Sequence, residues 1–142
     1  MKQQMKLQNI RKRVLIIAPV EKVWKAISTA EGIASWWKPN TFKPVIGHEF
    51  TIRGGEFGDL PCKVTKISSL KNRFGQVCFD WGKDWHLAFI VIRFNAVTEF
   101  KLVHSGWDTE KVTEFGQPHS LVYELMNNNW EKVVEQKLPS MM

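Results

Sequence analysis

Four histidines and two cysteines are the side chains of this 142-residue chain best suited to holding a metal or relaying a proton. Their spacing supports neither job. His48, His86, His104 and His119 form no HxxxH pair, and Cys62 and Cys78 form no CxxC. Two thiols cannot supply a disulfide framework or a four-thiolate zinc site. Neither Ser105 nor Cys62 stands in a nucleophile motif with a base and an orienting group. General acid–base catalysis needs a titratable group held in a cleft, yet Glu49, Asp80 and Asp84 fall at outward strand parity or in loops. His48 beside Asp80 or Glu49 is the one pairing that keeps an enzyme reading open. No metal and no cofactor is expected.

The more informative positions are apolar. Alternation along the candidate strands turns His48, Phe50, Phe79, Trp81, Ile90, Leu102 and His104 to one side, together with Ile46, Ala88 and Ile92. A helical stripe adds Leu125, Met126, Trp130 and Val133, and Trp36 and Trp37 fall near the mouth of the space between. An apolar lining with two imidazoles suits a small aromatic or lipid-like ligand. The competing outcome is that these rings meet and fill the space to interior density, with Met126 as a gap-filler. Either way an inward imidazole needs a partner, because an unpaired buried polar group costs roughly 1–3 kcal/mol.

The elements that must position these residues follow from periodicity. Val14 to Ala18 is β-branched and reads as a strand, closed by Pro19. Val20, Val23, Trp24 and Ile27 recur at helical spacing. Ser28-Thr29 then breaks that helix and caps a second, Ala30 to Trp36. From residue 46 the period is two. Strands are expected at 46–53, at Cys62–Ile67 with a bulge near Val64, through Val77–Trp81, at His86–Phe94 and at Val97–Gly106. Gly54-Gly55 and Gly58-Asp59 mark a turn, Ser68–Arg73 a polar turn, and Asn95-Ala96 a tight one. From His119 to Lys137 the period returns to 3.6, an amphipathic helix. Consecutive strands pair as antiparallel neighbours. The predicted fold is α+β: a curved antiparallel six-stranded sheet wrapped around a long C-terminal helix, with two short helices after the first strand.

Composition bounds the rest. Hydrophobic residues make up 44% and charged residues 24%, the balance of one globular domain. The formal charge of +6 is uneven. Lys2, Lys6, Arg11, Lys12 and Arg13 stand among the first thirteen residues without an acid, leaving 15 cations against 14 acids thereafter. The domain itself therefore lacks the basic face that nucleic acid requires, and no nucleic-acid partner is expected. Residues 1–9 read as a basic leader, 10–138 as the single domain and 139–142 as a tail. The longest apolar runs are too short for a secretory signal or a membrane span, so a cytoplasmic location is expected. Seven Trp and nine Phe accompany a single Tyr.

One combination of motifs points to a family. Ala18-Pro19, Val23-Trp24 and Ile33-Ala34-Ser35-Trp36-Trp37 resemble the opening of the heat-shock-protein-90 ATPase activator homologues. Phe79-Asp80-Trp81, Leu102-Val103-His104-Ser105-Gly106-Trp107 and Trp130 agree with it, so that the similarity spans about residues 10 to 137. The family belongs to the START-like, birch-pollen-allergen-like superfamily (SRPBCC). The resemblance implies a helix-grip fold with a cavity between sheet and long helix, and hence a small hydrophobic ligand lined by Trp36, Trp37, His48, Phe50, Phe79, Trp81, Ile90, Leu102, His104, Met126 and Trp130. By analogy it also implies a chaperone-associated or stress-response interaction module, and the cyclases and hydratases of the superfamily supply a third alternative.

Overall fold

A computed structural model describes residues 7–53 and 59–142. Strand β1 (Ile10–Ile16) leads into helices α1 (Val20–Ser28) and α2 (Ala30–Trp36). Strands β2 (Glu49–Ile52), β3 (Leu60–Lys71), β4 (Phe74–Trp81), β5 (Trp85–Phe94) and β6 (Val97–Ser105) follow. Helix α3 (His119–Lys132) continues through a π-helical turn, Val133–Lys137, into a last turn, α4 (Leu138–Ser140). The six strands form one antiparallel sheet in the order β1-β6-β5-β4-β3-β2. This is the expected α+β helix-grip arrangement, with α3 lying against the curved sheet.

Local chemistry explains the boundaries. Pro19 precedes α1 with the extended backbone its ring favours. Thr29 ends α1 and caps α2, its hydroxyl accepting from the Gly32 amide at 2.9 Å. Asn95 turns the β5–β6 hairpin with a left-handed backbone, φ 55°. The ladder between β3 and β4 slips between Val64 and Lys66, the bulge expected from the broken alternation.

Several expectations need correction. β1 begins at Ile10, so Arg11, Lys12 and Arg13 belong to an edge strand, where Arg13 pairs with the buried Glu99 of β6. Solvated charge on an edge strand discourages edge-to-edge pairing, and that placement was masked by reading the cations as one run. β3 extends through Ser68 to Lys71, where only Asn72 and Arg73 remain as the turn. Ile46 lies outside the sheet and is 64% exposed. The Gly54-Gly55 and Gly58 turn falls outside the described residues. At the other end, Met142, the last residue of the stretch read as a tail, rests against the core.

The core fills the space between sheet and helices. Val77, Phe79 and Trp81 alternate inward on β4, Leu87, Phe89 and Val91 on β5, and Phe100, Leu102 and His104 on β6. From the helices come Val23, Ile27, Ile33, Trp36, Val122, Met126, Trp130 and Val134. The β5 parity is the reverse of that expected. Ala88, Ile90 and Ile92 occupy the outer, half-buried face, because β5 is apolar on both sides and alternation alone could not orient it. Leu125 is likewise 53% exposed, whereas Val122, Met126 and Trp130 form the buried stripe.

β6 ends at a glycine with φ +93°, and a Cβ on Gly106 would stand 1.9 Å from the Asp84 carbonyl oxygen. That close approach delivers Trp107 into the core. Replacing Gly106 with Ala is expected to destabilise the fold by about 2 kcal/mol or more, read as a lowered urea midpoint; an unchanged midpoint would contradict this account of the turn.

Candidate functional site

The sequence-predicted lining separates into an interior aromatic cluster and residues that lie elsewhere. Phe79, Trp81, Leu102, His104, Met126, Trp130 and Trp36 are buried and face the interface between sheet and helices. Trp37, at the C-terminal end of α2, is half-buried. Its ring lies 4.7 Å from Trp130, 5.4 Å from Trp81, 6.1 Å from Phe89 and 6.5 Å from Phe79, centroid to centroid. Trp36 packs edge-on against Phe89 and Phe100, and its indole N–H donates to the Ala26 carbonyl at 2.7 Å. The middle of the domain is thus occupied by rings in mutual contact, the geometry that favours aromatic pairs.

Phe50 reaches this cluster from the sheet edge, 5.2 Å from Phe79. His48 does not. It precedes β2, is half-buried and stacks beside Phe50, and its Nε2 lies 3.0 Å from the Thr41 carbonyl oxygen. Ile90 is on the opposite face of β5. The predicted lining therefore comes together except at His48 and Ile90.

His104 anchors the far end of the cluster. It is fully buried near the end of β6, and Trp130 of α3 donates its indole N–H to His104 Nδ1 at 2.9 Å. Accepting that bond makes Nδ1 the unprotonated nitrogen, so the proton resides on Nε2. Burial drives the His104 pKa well below the ordinary imidazole value, and His119 and His86 push in the same direction. The ring is neutral. Around it stand Trp107 at 4.7 Å, Trp85 at 5.1 Å and Trp81 at 5.6 Å. Sequence reasoning identified His104 and Trp81 here but left Trp85 and Trp107 out. Trp85 shares the parity of Leu87 on β5, which alternation could not orient, and Trp107 lies past the end of β6, beyond the Gly106 turn.

Four donors of this group, the indole N–H groups of Trp81, Trp85 and Trp107 and the Nε2–H of His104, are buried with no hydrogen-bond partner among the described residues. Each such donor costs roughly 1–3 kcal/mol. The edge-to-face contact of Trp85 with His104 offers a ring face as a weak acceptor. A fifth buried orphan, Gln117 Oε1, is an acceptor with two lone pairs, in the loop before α3. The donors outnumber it.

Outside the core lie two polar features. Asp84 takes hydrogen bonds from Lys83 and from Lys111 (3.2 Å) and lies 3.9 Å from His119 Nε2. Burial pushes the Asp84 pKa up, but the two lysines outweigh it and hold the carboxyl below its ordinary value. His119, buried at the start of α3, is pushed down mainly by burial. Lys83 also ties the Val112 carbonyl and, through its amide, Glu114, so the cluster clamps the β4–β5 turn to the loop before α3. The second feature is a groove of about 530 Å³ at the β2–β3–β4 edge, walled by Thr41, Glu49, Thr51, Pro61, Lys63 and Asp80. Asp80 there pairs with His86 at 2.6 Å. Phe50 and Cys62 border it as well, so the groove reaches the aromatic cluster at Phe50.

Cys62 is buried, which pushes its thiol up to about 12, and the half-buried Cys78 is raised for the same reason. Neither is poised as a thiolate nucleophile. Among the described residues, no three His, Cys, Asp or Glu side chains gather to hold a metal ion, and no helix is long and apolar enough to cross a membrane.

Comparison with known proteins agrees with the fold. The family model described as "Activator of Hsp90 ATPase homolog 1-like protein" matches residues 17–142. The chain belongs to this family. Protein BH1534 of Bacillus halodurans, whose structure was determined in solution, is 34% identical and superposes with a TM-score of 0.82 over 95% of this chain and 96% of that one. Two more distant structures share the fold. MLL2253 of Mesorhizobium loti is 21% identical, with a TM-score of 0.78, covering 94% of this chain and 95% of its own. The Aha1 dimer from Colwellia psychrerythraea is 24% identical, with a TM-score of 0.66, covering 90% and 91%. No curated protein matches the chain. The activator-homologue fold thus accounts for the sheet and the helices.

His104 and His119 carry a pH dependence whose sign is determined by their lowered folded-state values. Above the unfolded-state pKa, near 6.5, both are neutral in either state and contribute no slope. Below it the unfolded chain binds protons that the folded chain refuses, so stability falls with falling pH until the folded-state values are reached. Urea midpoints are expected to decline from pH 7 to pH 5, by up to about 1.4 kcal/mol per pH unit for each histidine. Asp84 acts in a separate, more acidic window, its contribution being lost as pH falls through its depressed value. A His104→Gln, His119→Gln double variant that retained the full decline between pH 7 and 5 would contradict the assignment.

Proposed function

We propose that this chain is a small-molecule-binding module that takes up an apolar ligand between the sheet and α3. The observation that carries the proposal is Trp37, a half-buried ring seated at once on Trp81, Trp130, Phe79 and Phe89. A side chain placed between solvent and an aromatic interior is suited to give way to a ligand of similar shape, since one ring's contacts replace another's. Trp36, Phe50, Leu102, His104 and Met126 complete the proposed lining, and His48 and Ile90 are excluded from it by position. The residues present argue for binding over turnover: the buried histidine is neutral and held by Trp130, and the thiols are protonated.

A second reading has its own support. The family description names activation of the Hsp90 ATPase, and a chaperone-associated role in a cytoplasmic stress response follows by analogy alone. Stimulation of a chaperone ATPase by the purified chain would favour it.

The binding proposal is tested by intrinsic Trp emission during titration with menthol, octanol and medium-chain fatty acids, which neither absorb nor emit where Trp does. At least one should give a saturable change, and Trp37→Ala, which removes the ring a ligand must displace, should tighten the apparent affinity by about tenfold, the scale of one buried aromatic contact. Absence of a saturable change with every one of these probes would overturn the proposal.

A further inference from the structure

The interior of this domain holds a set of hydrogen-bond donors with no matching acceptors. Trp81 closes β4, Trp85 opens β5, His104 lies one residue from the end of β6, and Trp107 follows the Gly106 turn. Antiparallel register makes them neighbours: Trp81 pairs with Trp85, and Leu87, on the same face of β5 as Trp85, pairs with His104. The three indoles surround one imidazole at centroid distances of 4.7–5.6 Å. Trp130 already occupies the imidazole's only acceptor nitrogen. What remains is four N–H groups, all shut off from solvent and all without a partner among the described residues. Buried polar groups in native proteins are overwhelmingly paired, and an unpaired cluster asks what pairs it.

The charge of the partner can also be read. The four groups are neutral donors, and none is a cation. The nearby lysines, Lys83 and Lys111, are committed to Asp84. A carboxylate among these rings would be desolvated without a counter-ion, which is costly. An uncharged carbonyl oxygen carries no such penalty, and its two lone pairs accept from two of the four donors at a time.

We propose that Trp81, Trp85, Trp107 and His104 form a polar recognition subsite for the carbonyl oxygen of an otherwise apolar, uncharged ligand. The inference rests on the binding proposal above and adds to it the ligand's chemical class and orientation. Apolar body and polar end are recognised separately: the former by Phe79, Phe89 and Trp130, the rings beneath Trp37, the latter by the indole and imidazole N–H groups.

The test compares three probes of one chain length, octane, 2-octanone and octanoate, on the intact protein labelled with nitrogen-15 at its indoles. 2-Octanone is expected to bind at least tenfold more tightly than octane and than octanoate. It should also move the Trp81, Trp85 and Trp107 indole proton signals downfield, as hydrogen bonding does, while octane leaves them in place. Trp85→Phe and Trp107→Phe keep a ring and remove the donor. Each should lower 2-octanone affinity several-fold, leave octane affinity unchanged and not reduce thermal stability. Equal binding of octane and 2-octanone, with no selective indole shift in the wild-type protein, would overturn the subsite and leave the apolar-binding proposal standing. Binding of none of the three would overturn both.

Discussion

The bond from Trp130 to His104 is the constraint around which the rest of the interior is arranged. It is a buried side-chain contact between the long helix and the last strand. Hydrophobic packing alone is non-directional and would allow a helix to slide or roll on a sheet at modest cost. A hydrogen bond from an indole to one nitrogen of an imidazole permits neither. It sets the height of α3 along β6, places Trp130 against Trp37, and selects the tautomer that leaves His104 with a proton to donate.

From that contact the two halves of the chemistry divide. Inside, apolar rings and neutral N–H groups predominate, and the titratable side chain within them is kept uncharged by desolvation. Outside, Asp84 forms partly solvated ion pairs with Lys83 and Lys111, and Asp80 contacts the His86 ring nitrogen. The outer pairs fasten turns and loops. The loop before α3 is held by Lys83 and Lys111, which brings Trp107 and His119 to the same end of the helix. Charge thus positions the rim, while the interior is reserved for shape and hydrogen-bond direction.

The order of elements was legible in the sequence because each periodic segment is long and bounded by its own signal. Thr29, Pro19 and the irregularity at Val64 acted where they were expected to. Orientation was legible on β4 and β6, where one face is polar. It was illegible on β5, whose residues from Leu87 to Ile92 are apolar on both faces, and so Ile90 was placed on the wrong side. His48 sits at the parity of Phe50 but before the strand begins, at an edge where parity no longer means burial. For Trp85 and Trp107 the difficulty was different. Their importance lies in what their nitrogens lack, and a missing partner is a property of the assembled core, not of spacing.

The position of β1 in the sheet has a consequence for how the chain reaches this state. Strands β2 to β6 form a ladder of neighbours in chain order, each available to the next by a short hairpin. β1 breaks that order by pairing with β6, across a separation of 86 residues between Arg13 and Glu99. Closing so long a loop carries an entropic cost that local hairpins avoid, and topologies rich in such contacts fold slowly. During synthesis the first strand emerges early and has nowhere to dock until the last strand exists. Until then its own edge is an open row of amides, and the three cations on β1 help to keep the waiting strand solvated and apart from its neighbours.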